Sequence, residues 1–417
     1  MNAMNVARRT SLSATVGFCA LAAVMPTPVA TQTPAGQWRT AWATSQQGVA
    51  SGLVSNTTLR LIARVTVGGD AIRIRLDNSY GKTPLQITKA SVALRARGAA
   101  LVAGSSQPAL FSGRESVTIP AGGTMRSDPI SLTVPPFQDV AVSLYLPEIA
   151  VAPSQHAGAL TTSYAAAAHA GDRTSVELAE PFSATITSMP WLKAIDVRSS
   201  SSPGTIVAFG DSITDGTCAT VDAHDRWVDW LAIRLALQHP KGAVAVHKAV
   251  VNEGIGGNTV TRDGLQPPPD STPGLERLER DVLTHEGVSD VILFMGTNDI
   301  RRGASAAQVK GGLQQLAERL KRGRLKVFAA TIVPRHNVAA SGTNTGWDAA
   351  KTAIRREVND WIRSGGQFDG VLDFDAAVRD PSNPDLLFGP FNCDGIHPTP
   401  RGYFEMGRLL PLELFTR

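Results

Sequence analysis

The segment Thr-Ile-Val-Ala-Phe-Gly-Asp-Ser-Ile-Thr at residues 205–214 decides the fold of the second half of the chain. Its first five residues form an apolar run with the length of a buried strand, and the glycine that follows permits a tight turn. An amphipathic helical pattern comes next, at about 227–237. The order strand, loop, helix is the repeating unit of a parallel sheet.

The same unit recurs toward the C-terminus. Apolar runs at 244–251, 288–295, 325–333 and 371–374 each predict a further strand, and 306–320 has helical spacing. Alternating strands and helices predict an α/β fold, in which helices cover both faces of a parallel sheet. Such sheets bind ligands beyond the carboxyl ends of their strands, where the loops gather.

Residues 37–195 have a different pattern. Short runs of Val, Ile, Leu and Thr are separated by Gly, Asn, Pro and Ser, and 71–76 and 141–146 alternate in the manner of half-buried strands. We therefore predict an antiparallel β-sandwich of the jelly-roll type over 37–195. A serine-rich stretch closed by Pro-Gly favours a linker at 196–204, which leaves 205–417 for the α/β domain.

The N-terminus has the pattern of an export signal. Arg8 and Arg9 precede an apolar run at 16–24, and small residues and prolines follow to about residue 30. We therefore predict a signal peptide at 1–30 and a secreted or periplasmic mature protein. The apolar run is too short to cross a bilayer, and no later stretch has about 20 uninterrupted apolar residues, so no membrane span is expected in the mature chain.

Composition excludes one class of partner. The 417 residues include 40 Lys plus Arg against 36 Asp plus Glu, a nearly balanced set of charges. No basic block interleaved with aromatic residues occurs, so nucleic acid is not an expected partner. The length exceeds that of one ordinary core and favours two domains.

The cysteines leave one pairing open. Of the three, Cys19 lies in the predicted signal peptide, so Cys218 and Cys393 remain. Cys218 comes six positions after Ser212, and Cys393 comes directly before Asp394. In an oxidising compartment the two can form a disulfide, and two separate buried thiols are the alternative.

Motifs that suit nucleophilic catalysis follow the predicted strands. In the first, at 209–214, Ser212 lies near a helix N-terminus, where backbone N–H groups and the helix dipole favour a developing oxyanion. The alternative is that Asp211 and Ser212 only cap the helix. In the last, Asp394 precedes His397 by three positions. A carboxylate there can hold imidazole Nδ1 and leave Nε2 to accept a serine proton, although such pairs usually lie on the surface.

Two motifs between them supply hydrogen-bond donors. The segment Asn-Glu-Gly-Ile-Gly-Gly-Asn-Thr at 252–259 contains glycines that let the backbone approach a substrate closely. The segment Met-Gly-Thr-Asn-Asp at 295–299 contains Asn298, whose side-chain amide can donate to an oxyanion. A tight turn and an Asx turn, respectively, are the alternatives.

In this order, the motifs resemble blocks I, II, III and V of the SGNH (GDSL-type) hydrolases. The resemblance covers roughly 205–417 and implies a flavodoxin-like, three-layer α/β/α fold. It implies that Ser212 is the nucleophile and first oxyanion-hole donor, with His397 as general base and Asp394 as its orienting partner. It assigns the second donor to Gly257, since in the family this glycine precedes a polar residue, and the third to Asn298.

The resemblance also implies a mechanism and a substrate class. Ester hydrolysis through an acyl-enzyme needs no metal and no organic cofactor. An exported hydrolase joined to a β-sandwich resembles the carbohydrate esterases that remove acetyl groups from plant polysaccharides, and the XynE-like arylesterase and acylhydrolase branch is nearest. We therefore predict a secreted serine esterase acting on short acyl groups of an acylated polysaccharide.

Three other functions are alternatives to this one. The first alternative is a lipase or acylhydrolase that acts on lipid esters, although no long apolar lid is evident. The second is a carbohydrate-binding protein with an accessory hydrolase domain. The third is a metallophosphoesterase, but this sequence lacks the histidine pairs that such metal sites need.

Overall fold

The computed structural model describes Met1 and residues 36–238, 247–341 and 345–416. Apart from Met1, the predicted signal peptide at 1–30 lies outside these residues. The residues described from 36 onward belong to one compact unit, Ala35–Arg417. The predicted boundary between a β-sandwich domain at 37–195 and an α/β domain at 205–417 falls inside this unit, and it stays a prediction.

Residues 37–199 contain only strands and their connections. These strands are β1 (Gln37–Ala43), β2 (Gly48–Val49), β3 (Thr57–Arg64), β4 (Ile72–Asp77), β5 (Leu85–Ile87), β6 (Lys89–Arg97), β7 (Ala100–Leu101), β8 (Gln107–Pro108), β9 (Val117–Ile119), β10 (Thr124–Arg126), β11 (Asp139–Leu146), β12 (Ser154–His156), β13 (Ser163–Ala165), β14 (Ala184–Ile186), β15 (Met189–Pro190) and β16 (Leu192–Ser199). One antiparallel sheet has the order β1-β16-β4-β10. A larger one has the order β14-β13-β3-β11-β6-β7, with β8 also on β6.

The two larger antiparallel sheets share one apolar core. Alternate residues of β3 and β11 in one sheet, among them Leu61 and Val142, pack with Ile74 of β4 in the other. This is the period of two that strands impose on their side chains. The alternation at 141–146 predicted a half-buried strand, yet β11 is buried on both faces, because Ala141 packs in a second small cluster with Ile62.

The structure differs from the predicted linker at 196–204 in its first four residues, which are the end of β16. Val197 is buried in the core between the sheets, and Asp196 is buried against Arg75 and Thr40. A polar residue stays inside a strand when charged and hydroxyl partners satisfy it, which composition alone does not show. Only residues 200–204 separate β16 from the next strand.

Beyond residue 204 one parallel sheet carries helices. Its strands are β17 (Thr205–Gly210), β18 (Ala249–Gly254), β19 (Val288–Phe294), β20 (Lys326–Ala330) and β21 (Gly370–Leu372). The helices are α1 (Ser212–Asp215), α2 (Trp227–Leu237), α3 (Gly274–Leu278), which continues into a π-helical turn (Glu279–Leu283), α4 (Thr297–Arg301), α5 (Ala306–Arg322), α6 (Ala349–Ser364), α7 (Phe374–Val378) and α8 (Pro400–Arg408), with 3₁₀ turns at Gly389–Phe391 and Leu412–Leu414. The strand order β18-β17-β19-β20-β21 is that of flavodoxin-like sheets.

Neighbouring residues of β17 are buried in opposite layers. Ile206 and Ala208 pack in a cluster with residues of α2 and α8. Val207 and Phe209 pack in another cluster with residues of α5 and α6. Helices therefore cover both faces, and the loops after β17, β18, β19 and β20 meet at one edge of the sheet. No helix among the described residues is long and apolar enough to cross a membrane.

Candidate active site

Three of the predicted catalytic side chains meet at the carboxyl edge of the parallel sheet. Ser212 begins α1 directly after β17, and Asp394 and His397 lie in the loop before α8. The Ser212 Oγ lies 2.9 Å from His397 Nε2, and His397 Nδ1 lies 2.7 Å from Asp394 Oδ2. Since the carboxylate can only accept at Nδ1, that nitrogen carries the proton and Nε2 is free to accept one from Ser212.

The turn from Asp394 to His397 orients the carboxylate. The backbone N–H groups of Ile396 and His397 donate to Asp394 Oδ1 at 3.0 and 2.9 Å. Gly395 has a φ of +85°, a left-handed conformation that glycine adopts without strain. Burial pulls the pKa of Asp394 upward, but the hydrogen bonds from the ring and backbone of His397 outweigh it and hold that pKa below its ordinary value. Asp394 is therefore ionised at neutral pH.

The nucleophile turn is shaped by its neighbours in the sequence. Asp211 caps α1 by accepting from Ile213 N at 3.0 Å, and the N–H of Ser212, in the first turn, has no acceptor within the helix. A Cβ at position 210 would overlap the carbonyl of Phe294 on β19, so glycine is required there. The backbone N–H of Ser212 is therefore available at a helix N-terminus, where an oxyanion is favoured.

The predicted oxyanion-hole residues line the same cleft as Ser212 and His397. Asn298 Nδ2 donates to the Asn258 carbonyl at 3.1 Å, which uses one amide hydrogen and leaves the other for a ligand. Gly257 has a φ of +73°, and its N–H has no hydrogen-bond acceptor within the described part of the chain. The neighbouring glycine at 256 also lines the cleft.

The comparisons with known proteins agree with this geometry. Residues 208–403 match the model of the GDSL-like Lipase/Acylhydrolase family. The match supports assigning the protein to the carboxylic ester hydrolases. We call 208–403 the GDSL region, and the strands of 37–199 lie outside the match. No curated protein matches the sequence.

Solved structures similar to the chain cover about half of it. One is a GDSL-like lipase from Bacteroides thetaiotaomicron, with 19% identity, 51% of this chain and 88% of that chain covered, and a TM-score of 0.37. Another is Est24, a carbohydrate acetylesterase from Sinorhizobium meliloti, with 17% identity, 49% and 94% covered, and a TM-score of 0.38. A third is the inhibitor-bound M. smegmatis aryl esterase, with 19% identity, 49% and 94% covered, and a TM-score of 0.37.

A disulfide joins Cys218 to Cys393 across 175 positions of sequence. It connects the segment after α1 with the residue directly before Asp394. The Cys218 sulfur and ligand atoms of Asp394 and His397 lie within 4.8 Å of one another. The Cys218 sulfur is in the disulfide, and Asp394 and His397 are hydrogen-bonded to each other. All three residues of this cluster are therefore already engaged in bonds within the chain.

The sequence did not indicate Arg277, a fully buried residue of α3 beneath the active site of the GDSL region. Its Nη2 donates to the Gly210 carbonyl at 2.8 Å, its Nη1 to the Glu253 carbonyl at 2.9 Å, and its Nε to Asn258 Oδ1 at 3.0 Å. The guanidinium therefore joins the ends of β17 and β18 to the residue that holds Asn298. Arg277 lies in a charge-rich stretch typical of a solvated helix face. The only local indication of an ion-pair partner was its spacing of four residues from Asp281.

The N-terminal strands contact the nucleophile helix of the GDSL region. His156, in β12, places Nε2 3.0 Å from Asp215 Oδ1 and Nδ1 2.8 Å from the Ser45 carbonyl. Both partners can only accept, so both ring nitrogens donate and the imidazole is cationic. Burial favours the neutral ring, but Asp215, the Ser45 carbonyl and Glu253 together raise the pKa of His156 above its ordinary value.

A second buried histidine in this region is neutral. His285 Nδ1 lies 2.8 Å from Arg75 Nη2, a guanidinium nitrogen that can only donate, and His285 Nε2 lies 2.5 Å from Glu253 Oε1. The ring therefore accepts at Nδ1 and donates at Nε2. Burial and the positive charges of Arg75 and Lys193 lower the pKa of His285, although Glu253 opposes them. The hydrogen-bond partners therefore make His156 cationic and His285 neutral.

We expect His156 to stabilise the fold in a pH-dependent way. A group with a raised pKa in the folded state stabilises fully below its unfolded pKa, about 6.5 for histidine, and loses that contribution as pH rises through the folded value. The difference in free energy of unfolding between the protein and His156→Asn should therefore be largest below about pH 6.5 and shrink as the pH rises above it. Denaturant titrations at each pH measure it, with His169→Asn at an exposed histidine as the control. A difference that does not change with pH would contradict the cationic assignment.

Proposed function

We propose that the protein is a secreted or periplasmic serine esterase that removes short acyl groups, acetyl foremost, from an acylated polysaccharide. The observation that carries the catalytic part is the hydrogen-bonded series Ser212, His397, Asp394 at the carboxyl edge of the parallel sheet. The proposed secreted or periplasmic location rests on the sequence of residues 1–30 alone.

The geometry supports acyl transfer in two stages. His397 Nε2 takes the hydroxyl proton as Ser212 Oγ attacks the ester carbonyl, and Asp394 stabilises the resulting imidazolium. The oxyanion accepts from the N–H groups of Ser212 and Gly257 and from the Asn298 amide. His397 then returns the proton to the departing alcohol, and water repeats the sequence on the acyl-enzyme. The Asn298 amide is held in advance by the Asn258 carbonyl, and one such donor is typically worth about 100- to 1000-fold in kcat.

The lining of the cleft supports a small acyl group and a polar alcohol. Beyond the proposed triad and oxyanion-hole residues, the described lining consists of Thr217, Gly256, Arg301, Arg335 and Ile396. Ile396 is the one large apolar side chain among them. A long acyl chain gains about 0.8 kcal/mol for each buried CH₂ group, and this surface offers little area for such burial. The lining therefore favours carbohydrate acyl esters over lipid esters.

Contacts between the N-terminal strands and the GDSL region disfavour a binding protein with an accessory hydrolase. Arg277 donates to Ser45 Oγ at 2.9 Å, and His156 contacts Asp215 in α1. Ser45, Arg277 and His156 are buried and Asp215 is half-buried, so the two parts of the chain share one polar network beneath the catalytic residues. The N-terminal strands are therefore part of the catalytic structure in this proposal.

Acyl-chain profiling tests the substrate class. With 4-nitrophenyl esters from acetate to dodecanoate, kcat/KM should be highest for the shortest acyl groups, and acetylated xylan should release acetate. A maximum at long acyl chains, with hydrolysis of phospholipid vesicles and no acetate release, would instead support the lipid acylhydrolase alternative. Activity should be unchanged by EDTA, because none of the proposed steps uses a metal.

A further inference from the structure

Two arginine side chains lie in the catalytic cleft without a role in the acyl-transfer steps. Arg335 follows β20 and is 3% exposed, and its guanidinium lies 5.2 Å from the centre of the Trp347 ring. Arg301 is the last residue of α4 and is half-buried. It comes three positions after Asn298, so the two side chains lie on the same side of the helix. Both arginines line the cleft with Ser212 and His397.

Neither guanidinium has a hydrogen bond or an ion pair with any residue that the structure describes. The Nε atoms of Arg301 and Arg335 are both buried without an acceptor. The Nε of the neighbouring Arg302 is also unpaired, but its Nη1 donates to the carbonyls of Pro267 and Pro268 and its Nη2 pairs with Asp270. A buried cation without a partner is unfavourable, so an acceptor from outside the chain would satisfy these groups.

The carboxylates closest to Arg335 are committed elsewhere. Asp211 accepts from the N–H of Ile213, and Asp394 accepts from His397. Both attract the Arg335 charge without bonding to it, and burial, together with the positive charge of Arg301, lowers the pKa of Arg335 to about 10. Arg335 is still cationic at neutral pH. The cleft therefore carries positive charge beside the nucleophile.

We propose that Arg335 and Arg301 bind a carboxylate of the substrate, so that the preferred ester carries an anionic group near the scissile bond. Guanidinium donors match the two oxygens of a carboxylate, and charge-assisted hydrogen bonds of this kind are the stronger ones. An acylated uronic-acid unit is the carbohydrate form of such a substrate. The inference rests on the esterase function proposed above, and it adds the charge of the substrate.

Matched pairs of esters test the proposal. On the acyl side, 4-nitrophenyl hydrogen glutarate is compared with 4-nitrophenyl pentanoate. On the alcohol side, 3-acetoxybenzoate is compared with its methyl ester. The wild-type protein should prefer the anionic member of at least one pair, and the pair shows which side of the ester the arginines face. Arg335→Met should reduce that preference about 10- to 100-fold, mainly by raising KM for the anionic ester. A factor of this size corresponds to the loss of one hydrogen bond to a charged group.

Further variants separate substrate binding from other effects. Arg301→Met should reduce the preference in the same direction, and it decides the question if Arg335→Met does not fold. Arg335→Lys should retain part of the preference, because it keeps the charge and loses the planar donors. Arg408→Met, at an exposed arginine paired with Glu405, is the control and should leave the preference unchanged.

Two results would overturn the proposal. One is a wild-type protein that shows no preference for either anionic ester. The other is a loss of activity in the arginine variants that is equal for neutral and anionic esters, which would mean that the arginines act on the oxyanion. Calorimetry with Ser212→Ala measures binding of the same pairs without turnover. Tighter binding of the anionic ester in the absence of any wild-type hydrolysis would refute the proposed esterase and leave the anion site standing.

Discussion

Ser212→Ala is expected to lower kcat/KM for an aryl acetate on the order of 10⁴-fold or more while leaving the fold intact. The hydroxyl supplies the atom that attacks the ester carbonyl, and its removal leaves His397 Nε2 without a proton to accept. The side chain is small and lies at the surface of the cleft, so its packing contribution is slight. Activity and the free energy of unfolding are measured on the same preparation.

Two controls accompany this measurement. Ser364→Ala, at an exposed serine in α6, should leave activity unchanged. A serine-directed phosphonate should label the wild-type protein once and should not label Ser212→Ala. If the variant keeps more than a tenth of the wild-type activity, Ser212 is not the nucleophile.

Arg277→Met is expected to lower the free energy of unfolding by about 3–5 kcal/mol, the usual cost of removing one partner of a buried ionic network. The substitution keeps the apolar length of the side chain but removes the donors to the Gly210 and Glu253 carbonyls and to Asn258. It also leaves the buried carboxylate of Asp281 with one positive neighbour fewer. Denaturant titration of the wild-type protein and the variant measures the loss.

A surface ion pair provides the comparison for Arg277. Arg262 pairs with Glu276, and both side chains are about half exposed. Arg262→Met should therefore change the free energy of unfolding by less than about 1 kcal/mol. If Arg277→Met also costs less than about 1 kcal/mol, water or neighbouring groups replace its hydrogen bonds and the buried guanidinium is not structurally required. If the variant is as stable as the wild-type protein but reacts slowly with the phosphonate, Arg277 acts on the catalytic geometry instead.

The sequence alone was sufficient for the strands of the parallel sheet, for the helices α2 and α5, and for the order of the motifs. Apolar runs and helical spacing predicted strands and helices that the structure has close to the predicted positions, such as α2 at Trp227–Leu237. These features depend on periodicity within one segment, which the chain carries locally. That Ser212 and Asn298 share a cleft also followed from the sequence, because the carboxyl ends of parallel strands lie at one edge.

Only the tertiary structure decided which charged residues are buried. Arg277, Arg335 and His156 look like ordinary polar residues in the sequence. Arg277 and His156 each acquire a role from a partner distant in the chain, whereas Arg335 is buried without a hydrogen bond or ion pair to any described residue. His156 and Asp215 are 59 positions apart, and Arg277 and Gly210 are 67 apart. Whether such a side chain is solvated, paired or left without an acceptor depends on which segments pack against it. The free energy of a charge is set by those surroundings, and the local sequence does not contain them.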